Sequence, residues 1–167
     1  MEVHWRPPPH DWLKINMDDS LSKDWSGYGA ILRNEDTLSP GYHWTFLPSI
    51  FSKLKAIEMG IWMAISAGVT KLWIKSNSTT ALAWIKGNGC RPWSSICCLR
   101  CIHQGLDNLT DWIATHIHHE GNIPPDLLAS HRSDRGETIL FPSNVWTDLQ
   151  AAIDQDKSDI PYVRKKD

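Results

Sequence analysis

The order in which the apolar pattern changes period is what most constrains this chain. Trp12-Leu13-Lys14-Ile15-Asn16-Met17 alternates apolar with polar, the period of a strand, and Asp18-Asp19-Ser20 ends it. Residues 27–33 read as a second strand, with small residues where backbones can come close. A turn over 34–37 and a third strand over 40–46 complete an antiparallel meander. From Ser52 to Gly68 the period lengthens. Leu54, Ile57, Ile61, Met63, Ala64 and Ile65 recur at helical spacing, and Gly68 is placed to cap the end. Residues 71–75 return to a short strand, so strand, helix and strand imply a parallel crossover.

Two more helices follow, over 79–86, stopped by Gly87-Asn88-Gly89, and over 92–106. A fifth strand is expected over 112–117, and a fourth helix over 122–129, where Pro124 and Pro125 are tolerated in the first turn. The implied class is α/β (α+β): a five-stranded mixed sheet, three antiparallel strands then parallel crossovers, flanked by helices. Residues 1–11 form a Pro-rich lead-in and 12–130 the domain. Residues 131–167 form a C-terminal extension, with a helix within 142–153 and a frayed basic tail at Arg164-Lys165-Lys166.

A length of 167 residues suffices for one domain with a real core, and 41% apolar with 22% charged residues is a soluble globular balance. The net charge of −2 lacks the basic excess from which nucleic-acid binders draw affinity, which argues against tight, non-specific binding. No segment reads as a signal peptide or a membrane span, so an intracellular place, cytoplasmic or nuclear, is expected, with no membrane partner. The triplets Asn77-Ser78-Thr79 and Asn108-Leu109-Thr110 are then chance glycosylation matches. Ten Trp are read mainly as packing residues, with stacking platforms as the alternative. Cys97, Cys98 and Cys101 share the third helix. With Cys90 or His103 they could bind zinc, but such ligands usually come from loops, so buried or idle thiols are the preferred reading.

Several local words, in order, carry a family resemblance. Trp5-Arg6-Pro7-Pro8 precedes Asp11-Trp12-Leu13-Lys14-Ile15-Asn16-Met17-Asp18-Asp19, then Gly27-Tyr28-Gly29-Ala30-Ile31-Leu32-Arg33. Ser52-Lys53-Leu54-Lys55-Ala56, Lys75-Ser76-Asn77-Ser78 and His119-Glu120-Gly121-Asn122-Ile123-Pro124-Pro125-Asp126-Leu127-Leu128-Ala129 follow. With the element order, these resemble the type 1 ribonuclease H fold in its plant, non-LTR-retroelement-derived version. That family reads Trp-x-Pro-Pro, Gly-Trp-Leu-Lys-x-Asn-x-Asp-Gly, Gly-x-Gly-x-x-Leu-Arg, Ala-Glu-Leu-x-Ala, Glu-Ser-Asp-Ser and Arg-Glu-Gly-Asn-x-x-Ala-Asp-x-Leu-Ala. The likeness runs from about residue 5 to residue 130.

The resemblance implies cleavage of RNA in an RNA/DNA hybrid by two Mg²⁺ ions about 3.5–4 Å apart. Mg²⁺ takes oxygen ligands, so the family supplies four carboxylates. Carried over, the positions are Asp18, Lys53, Asn77 and Asp126. Asp18 and Asp126 are retained, as weak metal ligands if any. Lys53 stands where a Glu is expected and Asn77 where an Asp is expected. Four acids would bring about −4, whereas this set brings about −1. At about 4 Å and an effective dielectric of about 20, a like-sign contact costs on the order of 4 kcal/mol per charge pair, and the ion carries two.

Glu58 lies five residues beyond Lys53, roughly 140° around the helix, and should face away from the site. Asp19 should point to the opposite strand face from Asp18. Glu120 is the best rescue candidate. Two readings of Lys53 remain: it pairs with Asp18 and Asp126 in place of the metals, or it snorkels outward from a decayed site. His116, His118 and His119 cluster beside Glu120. They could be a metal pair or a general base, but ordinary strand and loop roles are preferred.

The resulting expectation is an RNase H-like pseudoenzyme that binds a protein partner or nucleic acid, with RNA/DNA hybrid or RNA held weakly and no cofactor. Exposed Trp and the C-terminal segment are the expected contacts. The alternatives are a weakly active nuclease using Mg²⁺ or Mn²⁺, and a retroelement remnant without a role.

Overall fold

The computed structural model describes residues 1–21, 26–36, 42–47, 52–131, 138–140 and 145–163. Its elements in chain order are β1 (Glu2–Val3), β2 (Leu13–Leu21), β3 (Ser26–Arg33), β4 (Tyr42–Leu47), α1 (Ser52–Ser66), β5 (Lys71–Ser76), α2 (Thr79–Ile85), α3 (Ile96–Leu106), β6 (Asp111–His116), α4 (Ile123–Ser130), β7 (Thr138–Leu140), α5 (Thr147–Lys157) and β8 (Tyr162–Val163). One sheet has the order β6-β5-β2-β3-β4-β7, and β1 with β8 forms a separate two-stranded pair. As the sequence pattern implies, β2, β3 and β4 form an antiparallel meander, while β5 and β6 join in parallel through helical crossovers.

Among the described residues the sheet has six strands rather than five. The addition, β7, pairs with β4 at the edge, and three residues are too few to show an alternation. The C-terminal helix runs from Thr147 to Lys157, later than the 142–153 expected. The basic tail at 164–166 lies outside the described residues. No helix among those residues is long and apolar enough to cross a membrane.

Local chemistry explains the helix ends. At the end of α1, Gly68 takes φ +75° and Val69 N–H returns to the Ala64 carbonyl, the left-handed stop that a glycine provides without a Cβ penalty. The Ser78 hydroxyl caps α2 by accepting from Ala81 N–H at 3.2 Å. Pro124 and Pro125 occupy the first turn of α4.

The two sheet faces are packed differently. On one, Ile15 and Met17 of β2 meet Leu54, Ile57 and Ile61 of α1 and Leu99, Ile102 and Leu106 of α3, all buried. On the other, α4 presses onto β3 at Gly29, where a Cβ would lie 2.5 Å from both Leu128 Cβ and the Pro125 carbonyl. Ile31 of β3, Leu128 of α4, and Leu149 and Ile153 of α5 form a smaller cluster there. Of the Trp, Trp5 is buried and Trp62 and Trp93 are exposed. Trp12, Trp73, Trp84, Trp112 and Trp146 are half-buried, and the side chains of Trp25 and Trp44 lie outside the description.

The second face also holds buried charge. Arg33 Nη1 donates to Asp156 Oδ2 at 2.5 Å, with both side chains fully buried, and Tyr162 O–H donates to Asp156 Oδ1 at 2.9 Å. The Trp5 ring lies 3.9 Å from the Arg33 guanidinium carbon. The lead-in and the C-terminal segment thus close over the same arginine. Removing one partner of such a pair strands the other charge, which costs about 3–5 kcal/mol. Asp156→Ala is therefore expected to lower unfolding stability by that amount in urea titration. Asp154→Ala, on the exposed side of α5, should stay within about 0.5 kcal/mol of wild type. Gly29→Ala should cost about 1–3 kcal/mol by forcing α4 off the sheet, and equal urea midpoints for variant and wild type would refute the close packing of α4.

Candidate active site

Asp18 projects from β2 on the face that α4 covers. Its carboxylate is nearly inaccessible and accepts on both oxygens. Asp19 N–H donates to Oδ1 at 2.9 Å and Asn77 Nδ2 donates to the same oxygen at 2.8 Å. Asn122 Nδ2 donates to Oδ2 at 3.3 Å and to the Met17 carbonyl at 2.8 Å. Parallel pairing brings Asn77 here: Met17 registers with Ser76, so the residues just beyond, Asp18 and Asn77, meet. Asn77 Oδ1 is buried and has no hydrogen-bond partner among the described residues.

Asp126 enters from the first turn of α4. Between the two acids stands His119, on a 3-10 turn spanning His119–Gly121. Its Nδ1 lies 3.4 Å from Asp18 Oδ2 and its Nε2 lies 4.0 Å from Asp126 Oδ2. One ligand atom each from Asp18, His119 and Asp126 all lie within 4.8 Å of one another. Burial raises the Asp18 carboxyl above its ordinary range, and nearby Asp126 adds to this, while the hydrogen bonds from Asp19 and Asn77 and the proximity of His119 oppose it. Burial likewise raises Asp126, with His119 opposing and Asp19 adding.

Lys53 does not reach Asp18 or Asp126. Its ammonium sits 3.1 Å from Asp19 Oδ1, with the Asp19 carboxylate buried and the Lys53 side chain 41% exposed. Strand alternation decides this, because Asp19 points to the α1 face and Asp18 to the α4 face. Lys53 on α1 meets the acid on its own side. Glu58 is turned toward α3, taking Lys55 at 2.7 Å and a hydrogen bond from the Cys98 thiol at 3.0 Å. Burial pushes that thiol up, so it is a poor nucleophile.

Glu120 shares the turn with His119 but is not part of the ligand-spaced group. His116 and His118 stack edge-on at 5.1 Å instead of joining it. Sequence reasoning placed Asp18, Asn77 and Asp126 together, weighed His119 only as one of a histidine cluster for which ordinary roles were preferred, and did not single out Asn122 or Asn16. The only signal for His119 was its place in a short word ahead of the α4 acid.

The donor set does not fit a pair of magnesium ions. Asn77 offers Asp18 an N–H where a carboxylate would be needed, and the Lys53 ammonium neutralises the nearest further acid. Two carboxylates and an imidazole at this spacing fit one divalent ion of a kind that accepts nitrogen beside oxygen.

The family described as reverse transcriptase-like matches residues 18–132. No curated protein matches the chain. Among solved structures, the N-terminal RNase H domain of rv2228c from Mycobacterium tuberculosis superposes with TM-score 0.67 at 14% identity, over 71% of this chain and 90% of that one. RNase H1 from the halophilic archaeon Halobacterium salinarum gives 0.65 at 14%, over 70% and 93%. LC11-RNase H1 in complex with an RNA/DNA hybrid gives 0.64 at 13%, over 70% and 92%. At such identities the likeness establishes the fold, which is that of ribonuclease H.

The raised carboxyls predict a stability effect with a definite sign. A carboxyl whose folded pKa exceeds its unfolded value ionises more easily when unfolded, so ionisation weakens the fold as pH rises through the folded pKa. Asp126→Asn removes that cost. The variant should melt higher than wild type at pH 7.5, and the gap should close toward pH 3. A lower melting temperature at pH 7.5 would show that the His119 contact outweighs burial.

Proposed function

This chain belongs to the reverse transcriptase-like family, and on that premise we propose that it is an RNase H-like pseudoenzyme, a module that binds nucleic acid and does not cut it by two-metal chemistry. The observation that carries this reading is the Asn77 amide donating into Asp18 at 2.8 Å. That contact spends the lone pair a metal would use on an N–H. The Lys53 ammonium, held on Asp19, supports it, since a cation beside the site opposes a second one. His119 stands between the two acids, with its ring nitrogens 3.4 Å from Asp18 Oδ2 and 4.0 Å from Asp126 Oδ2. Hybrid or single-stranded RNA is the proposed ligand, held weakly in keeping with the chain's net charge of −2.

A second reading, a weak nuclease, draws on the spacing of Asp18, His119 and Asp126, which suits one ion. The two readings part on a cleavage assay with labelled RNA/DNA hybrid in Mg²⁺ and in Mn²⁺. A revertant must change three positions. Glu at 53 would face the Asp19 carboxylate, so the variant is Asp19→Gly/Lys53→Glu/Asn77→Asp. Wild type is expected to be silent, and the triple variant to cut by at least 100-fold over background. Cleavage by wild type that Asp18→Ala abolishes would overturn the pseudoenzyme reading in favour of the nuclease.

A further inference from the structure

Among the described residues, the side of the sheet opposite α1 and α3 is only partly roofed. Helix α4 packs on β2, β3 and β4, and α5 packs on α4. Beyond them β5 and β6 show an outward face. Leu72, Ile74 and Ser76 of β5 point inward and are buried, while Lys71, Trp73 and Lys75 alternate outward and are half-buried. On β6, Ile113 registers with Trp73 and is 40% exposed. Trp73 is pinned by its indole N–H, which donates to Thr115 Oγ1 at 2.8 Å.

Cations crowd this ring. Lys75 Nζ lies 4.8 Å from the Trp73 centroid and Lys14 Nζ lies 4.1 Å from it. Lys14, buried beneath the strip, also faces the Trp5 ring at 5.0 Å and donates to the Arg6 carbonyl. Among the described residues no carboxylate lies within ion-pairing distance of Lys14, Lys71 or Lys75. The acid on the outward face, Asp111, stands at the far end beside Lys71. A buried cation normally has an anionic partner. Burial pushes the Lys14 ammonium down to about 7, with the charges of Lys75 and Arg33 adding to the effect and Asp156 opposing it, and lowers Lys75 as well.

We propose that the outward face of β5 and β6, from Lys71 to Lys75, is a docking strip for the phosphodiester backbone of a single-stranded nucleic acid. Three features select that occupant. Lys71 and Lys75 have no ion-paired carboxylate among the described residues and attract an anion. They line a strand about 13 Å long at about 3.3 Å per residue, which suits a linear polyanion more than a single small one. An aromatic and an exposed aliphatic side chain lie between them, and unpaired bases pack on such surfaces whereas paired bases do not. The strip also runs into the candidate site: β5 ends at Ser76, next to Asn77, and Lys75 Nζ approaches the His116 carbonyl at 3.4 Å. A strand lying here would lead its end toward Asp18. The proposal rests on the nucleic-acid reading above and names the surface that serves it.

The test is fluorescence anisotropy with a labelled 12-nucleotide RNA of mixed sequence, alone and paired with its DNA complement, from 25 to 200 mM salt. Single strands lose about 0.7 in the log–log salt slope per phosphate contact removed. Wild type should bind the single strand with a slope near −1.4 to −2. Lys75→Gln should flatten the slope by about 0.7, and Lys71→Glu/Lys75→Glu should weaken binding at least 10-fold at 25 mM salt. Lys157→Gln, on α5 and away from the strip, should bind as wild type does. Near-ultraviolet circular dichroism matched to wild type shows that each variant is folded, and Lys71→Gln/Lys75→Gln replaces the Glu pair if that pair misfolds. Binding by wild type that the strip variants leave unchanged would overturn the strip and spare the nucleic-acid reading. Equal loss of duplex and single-strand affinity would overturn the single-strand assignment. No binding by wild type to either RNA form at 25 mM salt would overturn both the strip and the nucleic-acid reading.

Discussion

The fold depends on a row of polar side chains buried along one face of β2. Lys14, Asn16 and Asp18 alternate with Ile15 and Met17 and point away from the apolar core, yet all three are almost inaccessible. Unpaired, such groups would cost several kcal/mol each. Their partners come from nearly every remote part of the chain. Trp5 N–H donates to Asn16 Oδ1 at 3.1 Å, and Arg33 Nη2 donates to the same oxygen at 3.3 Å. Asn16 Nδ2 donates to Asn122 Oδ1 at 3.1 Å, and Asn122 in turn donates to Asp18. With Tyr162 and Asp156 at one end and Asn77 at the other, this makes an unbroken thread of hydrogen bonds. The apolar face needs only residues of suitable size. The polar face admits one arrangement, because any slip of β2 by one residue would bury the wrong groups.

That thread also ties the chain ends to the site. The lead-in contributes Trp5, the C-terminal segment contributes Asp156 and Tyr162, and β1 pairs with β8 close to where both enter. Asp18 is held by donors that are themselves held. Its geometry is therefore set by the chain's own donors.

Much of this was legible because period and cap chemistry act locally. The meander, the α1 helix with its Gly68 stop, and the α4 start at Pro124 and Pro125 follow from residues within a few positions of one another. What was hidden depends on contacts across the chain. Three-residue β7 and two-residue β1 and β8 carry no periodic signal at all, and exist only because a partner edge is present. The place of His119 between the two acids was hidden for a related reason. Nothing in the run His118-His119-Glu120 says which ring the 3-10 turn will aim between two acids. Asp11 shows the opposite case: the resembling family word has Gly there, and the residue takes φ +65°, a conformation that glycine adopts freely and other residues rarely do.

The Lys53 position argues about history as much as chemistry. Simple decay would leave a lysine at the edge of an acidic site with no partner made for it. Here Asp19 stands where the resembling word has Gly, and its carboxylate is buried under the Lys53 ammonium at 3.1 Å. A buried acid at 19 without a cation would be costly, and Glu at 53 beside it would be worse, so each departure is tolerable chiefly in the presence of the other. Asn77 follows the same logic on the opposite face, since an Asp there would set a second carboxylate against the buried Asp18, and the amide supplies a donor instead. Both replacements lower the charge that a metal-free site would have to bear. A domain that gathered no divalent ions would have to neutralise its acids from within, and Lys53 and Asn77 would do so on both faces of β2.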